Sequence, residues 1–333
     1  MSKATIYYHD IGDYLSREEK LEKIRKFGSV ANVPWKTLKP NEHGDWINKR
    51  NSAFEEFIPI GDKSKDSEDS FFNPVYSRGL ASARDAYCYN SSKSKLIDVI
   101  NDFIDFYESQ RVNFFSKKNH KALNVEDFID FKTEKVTWNR GLKNDLKRNF
   151  KIEYDQSNLR IALYRPFFKQ RLYFARELND MVYQLPKLYP IDKLSNYVIC
   201  VSSNFKDGSI LIADKIPDLH FNGDTQAFPL YYYEERQKSS PNLFDEGEQN
   251  EFVRRDGVSD FILGRAQKQY GKNVTKEDIF YYVYGILHSP DYRTAFANDL
   301  KKMLPRLPLV ENVKDFWAFS KAGRKLAELH INY

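Results

Sequence analysis

The chain has 333 residues, a formal net charge of only +5 and 30% charged side chains. Any nucleic-acid surface must therefore come from local clustering, which excludes a histone-like, globally basic binder. Cys88 and Cys200 are too few for a disulfide framework and too far apart for a CxxC motif, no apolar run is long enough to span a bilayer, and MSKATIYYHD lacks the apolar core of a secretory signal. Together these point to a cytoplasmic protein without a membrane partner.

Residues 6–11 read as a strand, after which Ser16 opens a helix with Glu19 completing a capping box, Leu21, Ile24 and Phe27 forming its apolar stripe and Gly28 ending it. Pro, Asn and Gly punctuate residues 34–60 as loops, with a short helix expected over 45–57. The stretch GDKSKDSEDS, residues 61–70, has no apolar residue and reads as a linker, so the expected boundary divides 1–65 from 71–333.

Residues 76–90 suggest a loop and then an extended aromatic segment. Leu96, Ile100, Phe103 and Tyr107 define one face of an amphipathic helix over 93–110. Strands are expected at 160–164 and 172–174 around Pro166. Two hairpins are expected, one joining 197–205 to 209–213 at Asp207-Gly208 and one joining 219–221 to 226–232 at Asn222-Gly223. Residues 234–250 form a polar insertion. Thr275 caps a helix through Asp278 that runs to Ser289-Pro290, and a second helix stops before Pro305. The fold class is α+β: a central, mostly antiparallel sheet with hairpins, amphipathic helices before it and a helical C-terminal layer.

Residues 140–174 thread cations between aromatic rings with few acids among them. Arg140, Lys143, Lys147, Arg148, Lys151, Arg160, Arg165, Lys169 and Arg171 are candidates to meet phosphate, with Tyr164, Phe167, Phe168 and Tyr173 packing beneath or stacking on bases. A solvated basic face over an aromatic core explains the same pattern, so composition leaves both open.

Catalytic signatures are not visible. His9-Asp10 lacks the upstream histidine that a metal-dependent phosphohydrolase needs, and the six histidines form no HExxH pair. No serine sits in a GxSxG elbow. Asn73-Pro74-Val75-Tyr76 approaches the NPPY tetrapeptide of adenine methyltransferases, but Val75 replaces the second proline, and no glycine-rich cofactor loop precedes it. Glu18-Glu19-Lys20 and Glu134-Lys135 are read as surface helix charges.

EDIFYYVYGILHSPDYRTAFANDLKKMLPRL, from Glu277, resembles the C-terminal region of type ISP restriction-modification enzymes. YYHDIGDYLSREEKL from Tyr7, PNEHGDWINKRN from Pro40, SRGLASARDAYCYN from Ser77, LYRPFFKQRLYF from Leu163 and DKIPDLHFNGDTQAFPLYYY from Asp214 resemble the same family in the same order. The resemblance implies that residues 1–65 are the trailing edge of a methyltransferase domain and 71–333 a target recognition domain. It implies binding of duplex DNA, presentation of an adenine to a domain outside this chain, and partnership with the remaining domains of the parent enzyme. No cofactor is expected here, since S-adenosylmethionine, ATP and Mg²⁺ would serve the full-length enzyme. The alternative is an adenine methyltransferase fragment with residual cofactor binding. On the first reading Arg140, Lys143, Lys147, Arg148, Arg165, Lys169 and Arg171 contact phosphate, and Ser202, Ser203, Asn204 and Lys206 read bases from a two-stranded ribbon. An ordinary turn before Asp207-Gly208 would demand the same polar neighbours.

Overall fold

A computed structural model describes residues 4–47, 49–62, 69–131, 134–202, 209–236 and 251–333, without the side chain of Lys121. The chain divides into two units, Met1–Ser52 and Ala53–Tyr333.

In the first unit, Ile6–Tyr8 pairs antiparallel with Lys36–Leu38, a strand that the loop-like punctuation around Pro34 and Pro40 concealed. The helix Arg17–Phe27 carries the expected reciprocal cap between Ser16 and Glu19, and Gly28 closes it at φ 69° with its N–H on the Arg25 carbonyl. None of its residues is buried within this unit. The helix expected over 45–57 does not form. The Asn41 side-chain oxygen takes the N–H groups of His43 and Asp45, favouring a local turn, and the described residues beyond it hold only the 3₁₀ turn Ser52–Glu56.

The second unit is organised around a four-stranded sheet in the order Ser77–Arg78, Thr225–Pro229, Val198–Ser202, Ile210–Ala213, in which the last three strands are buried throughout. Pairing is antiparallel at every step. Side chains alternate between two cores: Val198, Cys200, Leu211, Ala213 and Ala227 face one, while Ile199, Val201, Ile210, Ile212 and Phe228 face the other. A sheet covered on both faces explains why these strands read as continuous apolar runs.

The first core is completed by Lys93–Ser116 and a second four-stranded sheet, ordered Ile216–Pro217, Leu159–Arg165, Phe168–Tyr173, Tyr89–Asn90. That helix outruns its expected end because Phe114 continues the buried stripe of Leu96, Ile100, Phe103 and Tyr107. Before Tyr89, Asp85–Cys88 coils into one helical turn where an extended segment was expected. The second core is closed by Asp260–Tyr270, Lys276–Leu287 and Val313–Ile331. Thr275 and Asp278 form the expected capping box. The next helix, Pro290–Ala295, breaks at Phe296 before Ala297–Leu300.

Of the two expected hairpins, Val198–Ser202 pairs with Ile210–Ala213, and their connecting turn lies outside the described residues. The other does not form. Residues 219–221 turn instead of extending, because Asn222 is drawn inward to the Cys200 carbonyl and to Thr225, which frees Thr225–Pro229 to pair with Val198–Ser202. Residues 53–62 belong with the larger unit, where Ile58–Pro59 pairs with Arg306–Leu307. Most of the expected linker at 61–70 and of the insertion at 234–250 lies outside the described residues. Among the described residues, no helix is long and apolar enough to cross a membrane.

Candidate nucleic-acid interface

The basic stretch splits between two supports. Its first part is the helix Arg140–Lys147, capped by the Asn139 side chain and anchored by buried Leu142 and Leu146. This geometry leaves Arg140, Lys147 and Arg148 exposed. Lys143 is instead engaged: its ammonium donates to Glu126 at 2.7 Å and lies 5.5 Å from the Phe131 ring centre. That bond holds the Glu126 carboxyl below its usual range. Lys151 is paired with Glu153.

The second part is the hairpin Leu159–Arg165 with Phe168–Tyr173. Lys169 opposes Leu163 and Arg171 opposes Ile161, so both cations project from one face, and both are exposed. Lys169 lies 5.0 Å from the Tyr333 ring centre. Arg171 borders a cleft of about 230 Å³ with Lys93 and Gln156, which adjoins a larger one of about 640 Å³ bordered by Asn158, Arg176 and Lys193. Gln156, Leu159, Arg160 and Asp192 line both.

Three of the expected contact residues are engaged within the fold. Arg160 is 7% exposed and its guanidinium donates to the Tyr189 and Pro190 carbonyls, with Asp192 at 3.5 Å, so it ties the hairpin to the following loop instead of meeting phosphate. Burial pushes its pKa down. Arg165 is committed on one side: Nη1 donates to buried Asp218 at 2.9 Å, and the guanidinium lies over the Tyr164 ring at 3.9 Å. Ser202 is 8% exposed at the end of its strand, opposite Thr225. Ser203, Asn204 and Lys206 lie outside the described residues.

Among the aromatics, Tyr173 is buried, with its hydroxyl accepting the Asp155 N–H, and Tyr164 donates to Asp85. Phe167 and Phe168 remain 48% and 46% exposed at the hairpin tip. Arg176, Lys193 and Lys93 also line the two clefts. They lie outside the basic stretch in sequence, and only the chain's return brings them beside Arg171 and Arg160.

This arrangement offers charge and surface. Burial pushes the Cys88 thiol up to about 12 and the Cys200 thiol upward as well, which removes both as nucleophiles. Asn73 donates its N–H to the Gly257 carbonyl and the Tyr76 ring stacks on Phe228 at 5.1 Å, so the altered tetrapeptide connects strands. Among the described residues, no three His, Cys, Asp or Glu side chains gather to hold a metal.

No curated protein matches the chain. Among solved structures it is similar to the ATP-dependent Type ISP restriction-modification enzyme LlaBIII bound to DNA, with 32% identity, a TM-score of 0.81 and coverage of 99% of this chain and 20% of that one. A nuclease-deletion mutant of the Type ISP enzyme LlaGI in complex with a DNA substrate mimic matches with 32% identity and a TM-score of 0.79, over 99% of this chain and 24% of that one. The DrdV–DNA complex matches with 25% identity and a TM-score of 0.76, over 98% and 30%. The chain spans between a fifth and a third of the length of these proteins. Residues 70–333 match the model of the Type ISP C-terminal specificity domain, and the chain belongs to that family.

Proposed function

We propose that this chain binds duplex DNA sequence-specifically, as the target recognition module of a larger Type ISP restriction-modification polypeptide. Similarity over nearly its whole length to enzymes solved on DNA carries the proposal. The exposed cations Arg140, Lys147, Arg148, Lys169 and Arg171 suit phosphate, and they position a duplex without reading it. Lys143 would join them by exchanging Glu126 for a phosphate oxygen. Ser203, Asn204 and Lys206, between two paired strands, are the candidates for base readout.

Catalysis belongs on this reading to other domains, which would use S-adenosylmethionine, ATP and Mg²⁺ and would receive the presented adenine. This chain itself takes no cofactor and works in the cytoplasm. Of the expected 1–65, the first unit, Met1–Ser52, would be the trailing edge of the methyltransferase domain. In support, Leu21 and Ile24 on the helix Arg17–Phe27 are 48% and 54% exposed, an apolar stripe that a neighbouring domain would cover. Selection from a random duplex pool with the purified chain tests the proposal. Enrichment of one sequence is expected, and retention of no duplex at low salt would overturn it.

A further inference from the structure

The hairpin joining Leu159–Arg165 to Phe168–Tyr173 turns on two residues, Pro166 and Phe167, between the paired Arg165 and Phe168. Phe167 has φ 58°, a left-handed conformation that tight turns led by proline ordinarily give to glycine or asparagine. A bulky ring there is strained, and persists only where its surroundings hold it. They do so here. Phe167 meets Tyr333 edge-on at 5.0 Å and His330 at 6.1 Å, while Arg165 is tied to Asp218, which also accepts from the Tyr89 hydroxyl and the His220 N–H.

The held tip presents Phe168 to solvent at 46% exposure, opposite its cross-strand partner Arg165, while the exposed Lys169 and Arg171 leave the other face of the same strand. An exposed apolar ring on a held tip whose strand carries cations on its other face suits a polyanion better than an apolar protein face. We propose that Phe168 is a stacking wedge that inserts its ring against a base step, with Phe167 as the strut behind it and Lys169 and Arg171 holding the flanking phosphates. Apolar side chains used this way unstack a step and bend the duplex toward more protein contact. This inference rests on the DNA-binding proposal and names how one part of that surface engages.

The test uses F168W and F168A in the full chain, with a random-sequence duplex followed in parallel by mobility shift and tryptophan emission. The native protein has four tryptophans, so its own emission change on binding is the baseline. Emission of F168W is expected to be quenched beyond that baseline, and F168A to bind about tenfold more weakly with an unchanged salt slope, because a stacked ring releases no counterions. If both variants shift the duplex like the native chain and F168W shows no added quenching, the wedge is wrong and the DNA-binding proposal stands. If the native chain shifts no duplex, the DNA-binding proposal fails and takes the wedge with it.

Discussion

Arg165 donates to Asp218 at 2.9 Å, and the carboxylate beneath it is 4% exposed while the arginine side chain is 39% exposed. One buried acid thereby gathers the hairpin end, the Tyr89 hydroxyl and the His220 backbone. Asp218→Ala would strand the nearly buried Tyr89 hydroxyl and free the guanidinium. Allowing for solvent screening at Arg165, we expect a loss of about 2 kcal/mol in urea unfolding, with Asp218→Asn losing less because it keeps an acceptor. A midpoint for Asp218→Ala equal to that of the native chain would refute this account of the tip.

The two classes of cation should separate experimentally. Lys147→Ala and Arg171→Ala are each expected to flatten the slope of log affinity against log salt by about one unit while leaving stability unchanged. Arg160→Ala should instead lower stability, since its guanidinium satisfies two backbone carbonyls in the interior. Salt-dependent duplex binding and thermal melting on the three variants check this. An unaltered slope for Arg171→Ala would place the phosphate contacts elsewhere.

Stability should depend on pH through His288. Burial first, then the neighbouring His330 and Arg293 charges, push its pKa down to about 4 from 6.5. A histidine that resists protonation in the fold makes the unfolded chain bind more protons between those values. The stability it supports is complete above pH 6.5 and is lost as pH falls toward about 4. The full swing is on the order of 3 kcal/mol. His288→Gln should flatten the stability profile across that window, and an unchanged profile would remove His288 as its cause.

Gly285 and Gly323 allow the helices Lys276–Leu287 and Val313–Ile331 to touch backbone to backbone. A Cβ on Gly323 would collide with the Tyr281 carbonyl oxygen, and one on Gly285 with that of Phe319. Both obstacles are main chain and cannot swing aside. Gly323→Ala is therefore expected to cost about 2 kcal/mol or more, despite its better helix propensity. Chemical denaturation measures this directly, and a neutral result would mean that the helices separate freely.

By itself the sequence determined this protein's local signals and its kinship. Ser16 with Glu19 and Thr275 with Asp278 dictate helix starts because their partners lie three residues away. The Leu96 to Tyr107 stripe dictates a helix because its spacing matches the helical period. Collinear family stretches were likewise legible, and the family match over residues 70–333 agrees with them. Tertiary structure decided which signals compete successfully. Asn222-Gly223 looked like a hairpin turn until the Cys200 carbonyl, 22 residues away in sequence, claimed the Asn222 side chain. Charge also gives no hint of its partners. Arg160 and Arg171 look alike in sequence, yet one is consumed by backbone carbonyls and the other projects beside a cleft. Sequence spacing encodes contacts within a few residues, whereas burial and pairing depend on which distant segment closes over a side chain, and that is settled only when the whole core assembles.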